Sequence, residues 1–434
     1  ETMNSYRSCV VRAGLVWLGD DFEEDVGIRV SADGLITHVE KRLEAEPGEK
    51  VVELPDEAIM PGFVNTHSHA FHRFLRGRSC IGEDTATTFW KWRDNMYKLV
   101  ENIDWHTLKK YCSMVFAEML SAGITTVGEF HYVHHGDDAP FSLDSAVIEA
   151  AKETGIRLVL IHTLYQRASF DESPLLPAQR RFVSSFDDFI QSVDKLEACV
   201  NDRTTIAVAI HSLRAVDVET SAKLAAWAKD NKKPLHLHLE EQPKELEQCE
   251  AALGCLPSDV VLEKLKPGEN LTAVHCTFTP QRNVESFAEK GVNISICPCT
   301  EGYLGDGVPR IIDSSRICFG TDCNNRISML EEMRLLAFSQ AMRANSRSVA
   351  GLTARKLLDA ATAAGARSLG LATVTGRFAV GMAFDFCAFS LLTPTFVGCK
   401  ERRELSDAIV FSADNREIRR VGVAGDVLYE RLVI

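Results

Sequence analysis

Ala58-Ile59-Met60-Pro61-Gly62-Phe63-Val64-Asn65-Thr66-His67-Ser68-His69 is the stretch on which the reading of this chain turns. The apolar run Ala58 to Val64 reads as a strand, and it delivers His67 and His69 at its carboxyl end. In extended backbone the side chains at i and i+2 share a face, so both imidazoles can reach one ion while Ser68 faces elsewhere. A His-x-His pair also arises by accident in cores and on surfaces, so its weight depends on what the rest of the chain supplies.

Beyond this stretch, apolar runs alternate with amphipathic ones, the pattern of a parallel sheet covered by helices. Strands are expected at Ile124 to Phe130, Arg157 to Thr163, Thr205 to Ile210, Pro234 to Leu239, Leu271 to Val274, Val292 to Ile296 and Ile317 to Gly320. With the run before His67 they number eight. Helices are expected at Ser221 to Lys229 and Met329 to Met342, and one can be checked by period. Leu108, Tyr111, Cys112, Val115, Phe116 and Met119 recur on one helical face, with Asp104 as a cap and Gly123 just past the end. Eight such units predict an α/β fold, a closed (β/α)8 TIM-like barrel that presents its chemistry at the carboxyl ends of the strands.

Short runs at both chain ends belong to something else. Cys9 to Val11, Leu15 to Trp17, Ile28 to Val30 and Leu35 to Val39 open the sequence, and Phe384 to Phe389, Ala408 to Phe411 and Val421 to Val427 close it, all between turn residues. They predict a small flanking β-sandwich built from residues 1–58 and 375–434, with the barrel over 59–374.

The 434 residues, 45% hydrophobic and 25% charged, have the composition of a soluble globular protein. A net charge of -13, with no Lys/Arg block, argues against a nucleic-acid partner, because neutralising phosphates requires a basic face. No segment offers eighteen consecutive apolar residues or the layout of a secretory leader, so no membrane partner is expected. Thirteen cysteines scattered through apolar stretches fit a reducing, cytoplasmic location. Cys297-Pro298-Cys299 is too isolated to mark a redox or metal motif.

Metal-capable residues fall where the barrel would present them. His67 and His69 follow the first strand, Glu129 to His135 the second, and His211 the fourth. His238 and Glu241 follow the fifth, His275 the sixth and Asp322 the eighth. One such histidine is usually a satisfied structural group; a set at successive strand ends points to a metal. His67, His69, His238 and Asp322 give three imidazoles and a carboxylate, a donor set for one Zn2+ that Fe2+ or Mn2+ would also fit. An open coordination position would hold a water whose pKa falls to ~7, which makes metal-assisted hydrolysis the reaction class. His236 competes with His238, but the later residue lies nearer the strand's carboxyl end, leaving His236 one layer down inside the barrel. Glu240 competes with Glu241 as the acid/base group, and its bland alternative is a solvated loop carboxylate.

In these motifs the sequence resembles the amidohydrolase superfamily: Met60 to His69, His238-Leu239-Glu240-Glu241, His275 and Gly320-Thr321-Asp322 stand in the expected order, and Gly381 to Asp385 resembles the return to the flanking sandwich. His211 stands where binuclear members carry a bridging lysine, so the mononuclear deaminase branch fits better. Within that branch, Phe89-Trp90-Lys91-Trp92-Arg93, Glu129 to His135, His211 to Val216 and Thr300 to Gly307 resemble the N-formimino-L-glutamate deiminases. The resemblance implies hydrolytic release of ammonia from a small dicarboxylate, with Glu241, His275 and Asp322 catalytic and Arg93, Tyr132, His211 and Arg214 binding the glutamate portion. It also implies a homodimer. A dicarboxylate needs cationic clamps in an otherwise acidic protein, which the two arginines can supply by bidentate pairing.

Two positions depart from the pattern. His72 replaces the usual glutamine three residues after the second metal histidine, with coordination, donation to substrate and altered specificity all open to it. Cys323-Asn324-Asn325-Arg326 follows Asp322 where a Ser-His pair is usual. Arg73, Arg76 and Arg78 add charge near the mouth and are read as surface or supporting residues. The nearest rival activity is deamination of a cyclic amidine such as a purine or pterin, which predicts aromatic stacking groups in the pocket. A catalytically silent assembly protein ranks lower, since the ligand set is intact.

Overall fold

The run Ala58 to Val64, expected as one strand, is divided between two sheets. The structure, a computed structural model, describes residues 5–78, 89–137, 139–171, 173–312, 314–399 and 402–432. Strand Lys50–Pro61 lies in a flanking sheet, parallel to Cys9–Trp17 and antiparallel to Phe386–Ser390. Strand Phe63–Ser68 is the first of the barrel. Gly62 makes the crossing, where a Cβ would meet the Thr125 side chain at 2.2 Å, so only glycine lets the chain pass that close to the second barrel strand.

The remaining barrel strands are Ile124–His131, Arg157–Leu164, Thr204–Ile210, Leu235–Leu239, Leu271–His275, Asn293–Ile296 and Ile317–Phe319. Each pairs in parallel with its sequence neighbour, and a parallel bridge from Ser68 to Asp322 joins the eighth strand to the first. All six residues of the first strand and all eight of the second are buried, as expected of strands covered on both faces. The helix read from its period spans Trp105–Ser121, and Asp104 accepts from the Thr107 amide at its start.

The flanking sheet runs, by residue range, Asp426–Glu430, Ile418–Val423, Phe386–Ser390, Lys50–Pro61, Cys9–Trp17, Val26–Val30 and Ile36–Lys41. It folds around its own apolar core, which brings Ile36 near one edge together with Val427 near the other. Three expectations change in detail. Cys9–Trp17 is one strand with a register shift between Ala13 and Leu15. The Val421 to Val427 run is a hairpin turning at Ala424-Gly425. Ala408 to Phe411 is helical, the end of Arg402–Phe411, which buries Leu405, Ile409 and Val410.

The two bodies are tied together by a buried ion pair. Arg157, at the start of the third barrel strand, donates to both Asp385 oxygens, Nε at 2.8 Å and Nη2 at 3.0 Å, and the Ala424 amide donates to the same carboxylate at 2.8 Å. Among the described residues no helix is long and apolar enough to cross a membrane, and the described cysteines are free thiols.

Candidate active site

The strands place their histidines around one point at the carboxyl end of the barrel. His238 Nε2 lies 3.1 Å from His67 Nε2, and Asp322 Oδ1 lies 3.5 Å from His67 Nε2 and 3.4 Å from His69 Nε2. Ligands ~2.1 Å from a tetrahedral ion stand about 3.4 Å from one another, and these three separations are of that size. The ligand atoms lying mutually within 4.8 Å form two sets that share His67, one with His69 and Asp322 and one with His238 and His275. Ring orientation agrees. His69 Nδ1 donates to the Phe130 carbonyl at 2.8 Å and His238 Nδ1 to the His211 carbonyl at 2.9 Å, leaving both Nε2 lone pairs for an ion. Burial holds His67 down to about 3, and burial likewise lowers His69 and His238, so these imidazoles are neutral donors at pH 7. Burial opposes the charge on Asp322, but the hydrogen bond with His67 and the neighbouring histidines outweigh it and keep the carboxylate ionised.

The strand ends are strained where they deliver these groups. Glu240 has φ 54°, His275 φ 74°, Cys276 φ 52° and Asp322 φ 42°, left-handed values that cost non-glycine residues about 1–3 kcal/mol each. The surrounding backbone imposes them. The His69 amide donates to the Asp322 carbonyl, and the Thr321 and Asp322 amides donate to the His67 carbonyl, locking the eighth strand's end onto the first. Asn324 tightens the lock by donating to Ser68 Oγ and the His69 carbonyl, 3.0 and 3.1 Å. Arg73, read as a surface or supporting residue, is buried beneath this loop and supports it. Its Nη1 donates to the carbonyls of Asn324 and Asn325, and its guanidinium pairs with Glu118.

His275 sits between three carboxylates: Nε2 is 3.7 Å from Glu241 and 3.8 Å from Asp322, and Nδ1 is 3.5 Å from Glu301. Burial resists its charge, but Glu241, Glu301 and Asp322 together push it up to about 10. Burial raises Glu241 above the ordinary carboxylate range, with His275 pulling the other way. Glu240 is not the solvated loop carboxylate of its bland alternative, since it is buried and accepts from the Ser258 amide at 2.8 Å. His236 lies inside the barrel with Nε2 donating to the Ser368 carbonyl at 3.3 Å.

A cavity opens over this cluster, and His72, Arg93, Tyr132, His211, Arg214 and Glu241 all line it. Arg93 stacks over the Tyr97 ring at 5.5 Å. Arg214 Nε is buried with no hydrogen-bond partner. His72 hydrogen-bonds Tyr132 Oη through Nε2 at 3.0 Å, and its Nδ1 is buried without a partner. Of the Phe89 to Arg93 match, the side chains of Phe89 and Trp90 lie outside the described residues; Trp92 packs edge-on against His72.

Residues 58–428 match the model of the amidohydrolase family. The chain belongs to the amidohydrolase family. It is 31% identical to the formimidoylglutamate deiminase of Pseudomonas aeruginosa over 94% of this chain and 92% of that one. It is 26% identical to the 5-methylthioadenosine/S-adenosylhomocysteine deaminase of Acetivibrio thermocellus over 93% of this chain and 89% of that one. Among solved structures, an amidohydrolase from Brucella melitensis superposes with a TM-score of 0.86 at 26% identity, covering 96% of this chain and 94% of the other.

Several residues in and around this amidohydrolase site carry roles that their sequence context did not assign. Glu301 falls within the Thr300 to Gly307 match, yet nothing in its spacing announces that it will face His275. Cys297, set aside in the sequence as part of an isolated Cys-Pro-Cys, offers its thiol near His275 and Asp322. Tyr165 and Phe182 line the wall beside Tyr132, and Gln179 donates to Tyr165 Oη at 2.8 Å. Their signal is weak, because they come from loops and strand ends with no period.

Proposed function

We propose that the chain hydrolyses N-formimino-L-glutamate to N-formyl-L-glutamate and ammonia. The observation that carries this reading is one cavity, in a protein of net charge -13, lined by His69, His238 and Asp322 together with Arg93 and Arg214, with His67 buried 3.1 Å behind His238. Kinship with a formimidoylglutamate deiminase supports it. His67, His69, His238 and Asp322 would hold the ion, proposed as Zn2+, with Fe2+ and Mn2+ accepted by the same donors. When bound, it supplies Lewis acidity that makes a hydroxide nucleophile available near neutral pH.

The chain's own groups do the rest. Glu241, its pKa raised by burial, takes one proton as water attacks the formimino carbon and passes it to the imino nitrogen. The remaining hydroxyl proton follows through the same carboxylate as the C–O bond becomes a carbonyl and the C–N bond breaks, so the nitrogen leaves as ammonia. His275, held between carboxylates, presents an N–H to the oxygen that gains charge. Arg93 and Arg214, with Tyr132 and His211, clamp the two carboxylates of the glutamate portion.

A second reading has an observation of its own. Trp92, Tyr97, Tyr132, Tyr165 and Phe182 line the cavity, the aromatic surface that a purine-type ring would stack on, and one relative is a methylthioadenosine/S-adenosylhomocysteine deaminase. A panel of N-formimino-L-glutamate, adenosine-type nucleosides, guanine and a pterin, scored by ammonia release from zinc-loaded protein, separates the two. Turnover of a ring substrate without turnover of formiminoglutamate would defeat the first reading.

A further inference from the structure

Behind the cavity wall stands a second buried group of ionisable side chains that the proposed chemistry does not use. Asp144, 2% exposed, begins helix Asp144–Thr154. Its Oδ1 accepts from His131 Nε2 at 3.0 Å and from His134 Nδ1 at 2.8 Å. Its Oδ2 faces His162 Nδ1 at 3.6 Å, and neither of these atoms has a hydrogen-bond partner. The rings are held from their far sides as well. His134 Nε2 donates to the Thr163 carbonyl at 2.8 Å, and His162 Nε2 donates to Ser192 Oγ at 2.6 Å. Burial opposes the charge on Asp144, but the neighbouring His134 and His162 and the hydrogen bonds from His131 and His134 keep its carboxyl below the ordinary range.

The end of the second strand and the irregular segment after it connect this group to the cavity. Phe130 points inward, its ring 4.9 Å from His67 and 4.4 Å from His238. His131 points outward to Asp144, Tyr132 inward to His72 and the cavity, and His134 outward again to Asp144. Tyr132 is therefore strung between two histidines pinned on one carboxylate. The segment is tied further along, where the His134 and His135 amides both donate to the Arg181 carbonyl at 3.0 Å and His135 Nε2 donates to the Val183 carbonyl at 2.9 Å.

We propose that Asp144 is a positioning residue: through His131 and His134 it fixes the segment that aims Tyr132 at the carboxylate end of the substrate. Asp144 touches no substrate itself. The proposal rests on reading Tyr132 as a substrate contact, so its test needs an arm that does not depend on the substrate.

Steady-state ammonia release by zinc-loaded Asp144→Asn, on whichever panel substrate the wild type turns over, is expected to show KM raised about tenfold with kcat within about threefold. In Asp144→Asn/Tyr132→Phe, KM should rise no further than in the worse single variant, because both changes remove one contact. A lowered melting temperature with unchanged KM, or effects that multiply, would overturn the proposal. Should Asp144→Asn fail to fold, His131→Leu is expected to give the same selective rise in KM. The substrate-independent arm uses 3-fluorotyrosine incorporation, with the Tyr132 ¹⁹F resonance assigned by its loss in Tyr132→Phe. That resonance should shift and broaden in Asp144→Asn, and an unchanged line would refute the proposal even if formiminoglutamate proves not to be the substrate. Metal analysis completes the test: a second equivalent of zinc in the wild type, lost in Asp144→Asn, would make the cluster a metal site and overturn the hydrogen-bonded anchor.

Discussion

Replacing Arg214 by methionine removes a buried, unpartnered Nε donor from the cavity while leaving the loop that carries it in place. The loop is held independently, since Arg167 donates to the Arg214 carbonyl at 3.1 Å and to the Leu213 carbonyl at 2.9 Å. A hydrogen bond to a charged group is worth about 1.5–3 kcal/mol, and 1.36 kcal/mol is a factor of ten, so KM for a dicarboxylate should rise by about 10- to 150-fold. Arg214 also lowers the Glu241 pKa, opposing the effect of burial. Its loss therefore moves the acid limb of the pH profile to higher pH, while kcat well above that limb stays nearly unchanged. The assay is ammonia release against N-formimino-L-glutamate from pH 5 to 9, with Arg214→Lys expected to fall between wild type and methionine because it keeps the charge without the planar fork. An unshifted KM in Arg214→Met would refute the carboxylate clamp.

Glu241→Gln should retain its metal and lose about 10²- to 10⁴-fold in kcat, and the acid limb should vanish with it. That limb arises because Glu241 must be ionised to accept a proton, so activity climbs as pH rises through its elevated pKa; near-normal turnover by metal-replete variant would exclude the assignment. Gly320→Ala would place a Cβ 2.7 Å from His67 Cβ and 2.8 Å from the His67 carbonyl, so metal content and activity should fall together, and a fully metallated, active variant would contradict the crowding. Asp385→Asn leaves Arg157 buried without its charge partner and should cost about 3–5 kcal/mol in urea unfolding at pH 7, whereas a loss under about 1 kcal/mol would count against the tie between barrel and flanking sheet. Burial works against the Asp385 charge, but Arg157 and the hydrogen bonds depress its folded pKa. The stabilisation is thus complete above the unfolded value of ~3.9 and disappears as pH falls through the lower folded one.

What was legible in the sequence were features with a period or a fixed offset. The i, i+2 spacing of His67 and His69, the helical face around Leu108 to Met119 and the histidines at strand ends each follow from local geometry, and the structure brings His67, His69, His238 and His275 to one end of the barrel. The limits of the apolar run before His67 were not legible, because Ala58 to Val64 is apolar on both sides of the crossing and Gly62 alone marks it. Ala408-Ile409-Val410-Phe411 misled because four apolar residues, two of them β-branched, look like a strand; their helical period shows only when Leu405 is included. The closeness of Glu301 to His275, and of Asp144 to three histidines, depends on how helices Pro298–Leu304 and Asp144–Thr154 dock against the strand ends, and no spacing in the sequence encodes that.

The most direct measurement follows N-formimino-L-glutamate by ¹H NMR with zinc-loaded protein and identifies both products. The account predicts N-formyl-L-glutamate and ammonium in equal amounts, at a rate abolished by Asp322→Asn. Glutamate and formamide, or an untouched substrate in the presence of fully metallated protein, would contradict it.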